Sequence, residues 1–152
     1  MMHIYEFLRK DFCIMDLKSQ DKERAIREII LDLPEGDKII DKQKFIQDIL
    51  ERERRGSTGI GHNVAIPHCS CTGVDGFMIA FARSKTGIDF NSLDGDKVNL
   101  IFLMGTNPQE LNLYLTLLAK LSKLLIQEPV RKELMAAKDS EDVVEIFKKY
   151  ET

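Results

Sequence analysis

The residues able to do chemistry in this chain crowd into one stretch: Arg52-Glu53-Arg54-Arg55-Gly56-Ser57-Thr58-Gly59-Ile60-Gly61-His62-Asn63-Val64-Ala65-Ile66-Pro67-His68. It holds two histidines, three arginines, two hydroxyl side chains and three glycines. A neutral imidazole is a competent nucleophile near neutral pH, because its unperturbed pKa is about 6.5. Arginine presents a planar fork of donors that matches a phosphoryl group. Gly59 and Gly61 open backbone conformations closed to other residues and let N–H groups approach an anion. Ser57 and Thr58 add hydroxyl donors. The set is suited to holding a phosphoryl group on His68. The competing reading is a glycine-rich turn feeding a strand, with the histidine satisfied by a backbone carbonyl.

The flanking pattern must place these groups. Phe45, Ile46, Ile49 and Leu50 form a one-sided stripe behind a capping Asp41, so Arg52 falls at the end of a helix. Gly56 stands where a left-handed residue closes such a helix. Asn63 tolerates the left-handed region, Val64 to Ile66 reads as a short strand, and Pro67 fixes the backbone before His68. Asp21 or Ser19 caps an earlier helix carrying Ala25, Ile26, Ile29 and Ile30, which Pro34 ends.

Elsewhere a short helix is expected up to about Lys10, then a short strand over Phe12 to Met15. Gly76 to Ala82 and Val98 to Met104 read as buried strands, with a short edge strand at Ile88 to Phe90 and a turn at Asp94-Gly95. The segment Leu111 to Ile126 alternates like a strand at its start, but its length and later leucines decide for a helix apolar on two sides. That leaves room for a homodimer contact. Helices from Glu128 to about Lys138 and over Val143 to Phe147 follow. The alternation of strands and helices gives an α/β fold: a single domain, residues 1–152, with a small mixed β-sheet flanked by helices.

The 152 residues suit one domain. A net charge of −3 argues against a nucleic-acid partner. No run approaches the ~20 apolar residues of a membrane span, and the N-terminus lacks the pattern of a signal peptide. A cytoplasmic location is expected, in keeping with three cysteines, a poor disulfide framework. His62, Cys69 and Cys71 with His68 make a poor metal set, since Cys-x-Cys does not match zinc spacing. Neither metal nor cofactor is assigned. His3 reads as a solvated terminal residue. Glu53, Arg54 and Arg55 read either as a solvated helix end or as a docking rim.

The segment resembles the signature of the fructose/mannitol-type enzyme IIA domains of the bacterial phosphoenolpyruvate-dependent phosphotransferase system, a family that includes a nitrogen-regulatory branch. The likeness is carried by Arg52-Glu53, Gly56 to Gly61 and Val64 to His68. It extends to the Asp21-Lys22 helix start, the strand ending at Met104-Gly105 and Leu117-Leu118-Ala119-Lys120-Leu121, and so covers nearly the whole chain. It implies that His68 accepts a phosphoryl group from the carrier protein HPr and passes it to a cysteine of an enzyme IIB partner. In the nitrogen branch, the state of His68 instead controls a regulatory target protein. It implies further that Arg52 is the cation of the site, with Ser57, Thr58 and Gly59 beside the phosphoryl group. Members usually carry a second histidine at the start of the helix after the Met104-Gly105 strand. Tyr114 stands there in this chain, and no histidine follows His68. His62 is read as an exposed loop residue rather than its replacement.

Overall fold

The computed structural model describes residues 2–151. In chain order the strands and α-helices are β1 (Cys13–Ile14), α1 (Lys22–Asp32), α2 (Lys42–Arg54), β2 (Gly59–Gly61), β3 (Val64–Ala65), β4 (His68–Ser70), β5 (Phe77–Ile88), β6 (Val98–Thr106), α3 (Leu111–Ile126), α4 (Glu128–Ala136) and α5 (Ser140–Glu151). Short 3-10 turns at Ile4–Glu6, Lys10–Phe12 and Pro108–Glu110 complete the fold. The sheet runs β1-β5-β6-β3-β2, with β4 also on β6. It is mixed: β5 and β6 are antiparallel, while β1 on β5, and β3 and β4 on β6, are parallel.

The helices form where the capping and apolar patterns place them. The Asp21 carboxylate accepts the N–H of Arg24 at 2.9 Å, and that of Asp41 accepts the N–H of Lys44 at 3.0 Å. Each satisfies a donor that the first helical turn leaves without a partner. Ala25, Ile26, Ile29 and Ile30 of α1 and Phe45, Ile46, Ile49 and Leu50 of α2 are buried. Leu33 turns extended and closes α1, as a residue before proline must.

Two apolar clusters sandwich the sheet. On one face α1 and α2 pack over Ala65, Cys69, Met78, Ala80, Ile101 and Leu103. On the other, α3, α4 and α5 cover Val64, Ile66, Ile79, Phe81, Leu100, Phe102 and Met104. The period-two alternation of strands divides neighbouring residues between these clusters. At Gly105 a Cβ would lie 2.7 Å from Cζ of Phe45, so the glycine lets α2 sit close on the sheet.

Several expectations shift in detail. β5 runs on to Ile88, beyond the expected end at Ala82 and into the first residue of the expected edge strand, of which Asp89 makes only an isolated bridge with Asp21. Phe12 belongs to a 3-10 turn rather than to β1, which is two residues long. Gly56 is not left-handed; Arg55 closes α2 in the right-handed region, its N–H donating to the Arg52 carbonyl and that of Gly56 to the Glu53 carbonyl. The helix α3 is not sunk on all sides, for Leu111 and Leu115 are exposed one turn apart.

Candidate functional site

His68 owes its place to a broken strand. β3 and β4 pair with the same edge of β6, Val64 opposite Leu100 and His68 opposite Met104. Pro67 stands in the gap: it has no N–H to give a ladder, yet its carbonyl accepts the N–H of Met104 at 2.9 Å. Val64 and Ile66 face α3, whereas Ala65 and Cys69 face α2. His68 follows the former alternation and lies beside α3, its ring 5.7 Å from that of Tyr114 with the planes at 51°.

The ring orientation is set by Nδ1, which lies 2.6 Å from the carbonyl oxygen of Ile66. A carbonyl only accepts, so Nδ1 carries the proton and Nε2 keeps its lone pair. Burial lowers the His68 pKa below the usual histidine value. The Ile66 carbonyl opposes that, the Arg52 charge adds to the lowering, and Glu53 raises it again. His68 is therefore neutral at pH 7, with Nε2 as the available nucleophile. The sign follows: Nε2 of His68 stays unprotonated above about pH 6.5 and takes up a proton in acid with a midpoint below that value. A ¹H–¹⁵N titration of the imidazole checks this. A midpoint above the ordinary histidine value would contradict it. By the same linkage, the contribution of neutral His68 to stability is full above about pH 6.5 and is lost as pH falls through its lower folded value.

Arg52 ends α2, half-buried, and gives one guanidinium N–H to the carbonyl of Gly56 at 2.9 Å. Its remaining donors make no hydrogen bond to another described residue. Tyr114 is buried but for its tip, and its hydroxyl likewise makes no hydrogen bond among the described residues. Burial, with the nearby Cys69 thiol, pushes its pKa up to about 12 against the opposing pull of Arg52. The phenol therefore keeps its proton throughout the physiological range.

The loop residues hold a different position from the one expected. Ser57 gives its hydroxyl proton to the Phe90 carbonyl at 2.6 Å and accepts the N–H of Gly59 at 3.1 Å. Thr58 gives both its N–H, at 2.7 Å, and its hydroxyl proton to the carboxylate of Glu53. The expected phosphoryl donors Ser57, Thr58 and Gly59 thus already give these protons to Phe90, Glu53 and Ser57 respectively, and the loop is braced rather than open. Gly59 is required for contact: a Cβ there would fall 2.1 Å from Oγ of Ser92. Gly61, His62 and Asn63 are all left-handed, the last as its residue type leads one to expect.

Glu53 is the residue that the sequence reading misplaced. It belongs neither to a solvated helix end nor to a docking rim, for it is 4% exposed. The signal was present: Glu53 continues the α2 stripe, four residues after Ile49 and three after Leu50. Arg54 and Arg55 are exposed, in keeping with the solvated reading.

His62 sits in the turn between β2 and β3, beside Asn63, whose carbonyl meets the start of β6 at Asn99 and Leu100. His68 lies toward the far end of β6, at Met104. His62 consequently cannot stand in for a second site histidine. Cys69 and Cys71 lie buried in the α2-side core, turned away from the His68 ring. Burial pushes both thiols well above the usual cysteine range, Cys71 to about 11, which leaves neither poised as a thiolate. His3 is not simply solvated: its ring stacks on Tyr5 at 4.9 Å and meets Lys120 at 3.0 Å. No helix among the described residues is long and apolar enough to cross a membrane.

Comparison with known proteins supplies the family. Residues 6–150 match the model of the phosphoenolpyruvate-dependent sugar phosphotransferase system EIIA 2 family. The chain is 37% identical over 150 residues to the fructose-specific EIIABC component of the phosphotransferase system of Bacillus subtilis, covering 99% of this chain and 24% of that protein. It therefore spans about a quarter of the length of that relative. The crystal structure of nitrogen regulatory protein IIA-Ntr from Neisseria meningitidis matches with a TM-score of 0.87 and 31% identity, over 95% of this chain and 98% of that one. Enzyme IIAMTL in its complex with phosphorylated enzyme IIBMTL from Escherichia coli matches with a TM-score of 0.74. That match covers 93% of this chain and 99% of that one, and at 20% identity it speaks to the fold alone. The fold and the match over residues 6–150 agree, and the chain belongs to the EIIA 2 family of the phosphoenolpyruvate-dependent sugar phosphotransferase system.

Proposed function

We propose that this chain is a phosphocarrier that accepts a phosphoryl group on Nε2 of His68 and hands it on to a protein acceptor. The observation that carries the reading is the 2.6 Å contact of Nδ1 with the Ile66 carbonyl, which leaves Nε2 unprotonated on a ring that feels the Arg52 charge and lies 5.7 Å from that of Tyr114. In the step, the Nε2 lone pair forms a bond to phosphorus as the phosphorus–nitrogen bond of a donor phosphohistidine breaks, and the donor imidazole keeps that electron pair. Such a transfer depends on positioning and on charge stabilisation more than on covalent help from the protein. Arg52 supplies the charge. Tyr114 supplies a neutral hydroxyl where relatives place a histidine, and the braced 57–59 loop holds the frame.

The donor in this reading is HPr and the acceptor the cysteine of an enzyme IIB domain. Leu111, one turn before Tyr114, and Leu115 leave apolar surface on the helix that borders the site, as a transient protein partner requires. Incubation with phosphoenolpyruvate, enzyme I and HPr, followed by intact mass, gives a single phosphoryl adduct on the wild-type chain. Tyr114→Phe gives the same adduct at a reduced rate. The absence of an adduct on the wild-type chain would sink the assignment, and an unchanged rate in Tyr114→Phe would remove the tyrosine from the site.

A second reading rests on the 31% identity and 0.87 TM-score to a nitrogen regulatory protein. There the phosphorylation state of His68 governs binding to a target protein, and the phosphoryl group is not passed on. Adding an enzyme IIB domain to the phosphorylated chain separates the two, since loss of the adduct to the IIB cysteine supports the carrier and retention supports the regulator.

A further inference from the structure

We propose that Glu53 is the positioning residue of this site: its buried carboxylate, countered by Lys22, locks the 57–59 loop to the end of α2 and thereby sets the geometry of Arg52 and His68. This deepens the phosphocarrier reading and rests on it. The carboxylate sits between two helices, and each of its oxygens has a partner. Oε2 accepts the Thr58 N–H at 2.7 Å, and Oε1 accepts the Thr58 hydroxyl. Lys22, on the first turn of α1, brings Nζ within 3.8 Å of Oε2 and lies over the Phe90 ring at 5.7 Å from its centroid. A carboxylate this far from water is costly unless paired and hydrogen-bonded, so the position is occupied at an energetic cost that packing alone does not explain.

The brace continues to the nucleophile without a gap. Thr58 accepts the N–H of Ile66 on its carbonyl at 3.0 Å, and the Ile66 carbonyl accepts Nδ1–H of His68 at 2.6 Å. Glu53, Thr58, Ile66 and His68 are thus consecutive members of one hydrogen-bonded chain. Arg52, the neighbour of Glu53 on α2, ties to the other side of the same loop through the Gly56 carbonyl. Glu53 holds the loop from within while Arg52 holds it from outside, and the guanidinium is held in place relative to the imidazole. The acidic charge also opposes the effect of Arg52 on His68. The order of partners implies that Glu53 acts through Thr58 and Ile66 and touches no reacting atom.

The test compares the wild-type chain with Glu53→Gln, Thr58→Val and Lys22→Met in transfer from phosphorylated HPr, alongside thermal denaturation and a ¹H–¹⁵N titration of His68. Glu53→Gln is expected to lower kcat on the order of 100-fold, the cost of a small misplacement of reacting groups, with KM for HPr unchanged. The His68 midpoint moves down in that variant, because the lost acidic charge no longer favours imidazolium. A site that has merely loosened would move it up, toward the ordinary histidine value, as burial is relieved. Thr58→Val keeps the N–H and removes one arm of the brace, with a loss of about tenfold. Lys22→Met falls between the two. Wild-type kcat in Glu53→Gln, or a fall in kcat accompanied by an upward His68 midpoint and a lowered Tm, would overturn the proposal. Should Glu53→Gln not fold, wild-type kcat in both Thr58→Val and Lys22→Met overturns it equally. Failure of the wild-type chain itself to take up a phosphoryl group would strike the phosphocarrier reading instead, and the His68 midpoints would still report on the brace.

Discussion

In the proposed phosphocarrier, His68→Ala is expected to abolish phosphorylation outright: no phosphoryl adduct is expected by intact mass after incubation with phosphoenolpyruvate, enzyme I and HPr, whereas His62→Ala is expected to retain the wild-type adduct. The reason is the protonation state imposed by the fold. Nδ1 is committed to the Ile66 carbonyl, so a single nitrogen with a free lone pair, Nε2, remains on a ring 5.7 Å from that of Tyr114. Of the other two histidines, His62 sits in the turn between β2 and β3, and His3 lies in a cluster with Tyr5, Lys120 and Glu151. Arg131 lines the same cavity as His62, but its guanidinium donates to the Leu125 and Ile126 carbonyls. An adduct that survives His68→Ala would move the phosphorylation site elsewhere and defeat the functional reading. The folded state tolerates the change, since the half-buried imidazole gives up one hydrogen bond, worth roughly 0.5–1.5 kcal/mol. Thermal denaturation of the variant separates lost chemistry from lost fold.

Arg52→Met is the second large effect, with transfer from phosphorylated HPr slower by about 10²–10³-fold, the loss typical when one preorganised donor to a developing anion is removed. Arg52 has five N–H donors and spends one on the Gly56 carbonyl. The others remain for phosphoryl oxygens, and the Gly56 bond fixes the plane in which they lie. Tyr114 cannot compensate, since a phenol whose pKa is raised to about 12 offers a hydrogen bond and no charge. Arg52→Lys restores the charge without the fork, so it recovers part of the rate and not all of it. Rapid-quench measurement of single-turnover transfer provides the test. A rate for Arg52→Met close to that of the wild type would remove Arg52 from the site. Denaturation midpoints stay near the wild-type value, because the Gly56 contact is exposed and such bonds contribute little.

These two residues also mark how far the sequence could be read. Arg52 and His68 stand in a local pattern: a capped helix with a one-sided stripe, a glycine-rich loop and a short strand stopped by proline. Each part is governed by interactions within a few residues, which is why Asp41, the Phe45 to Leu50 stripe and left-handed Asn63 behave as their residue types dictate. Glu53 marks the limit of that reading. Its spacing from Ile49 and Leu50 assigns it to the buried face, but a carboxylate there is intelligible only once Thr58 and Lys22 are known to reach it. Ser57 and Thr58 show the same limit from the other side. Their residue types announce donors, and only the Phe90 carbonyl and the Glu53 carboxylate determine where those protons go.

What the sequence determined by itself was the family and most of the secondary elements that carry His68 and Arg52, the proposed nucleophile and cation, because these are written in short-range periodicity and one long motif. What the tertiary structure decided was the meeting of those elements. It set β3 and β4 on one edge of β6 across the gap at Pro67, brought Tyr114 to 5.7 Å from His68, and closed the loop over Glu53. These arrangements join residues from separate elements through strand pairing and the packing of two apolar clusters against opposite faces of one sheet. Periodicity names the face that an element buries, and the partner that buries it is chosen only when the whole chain has packed.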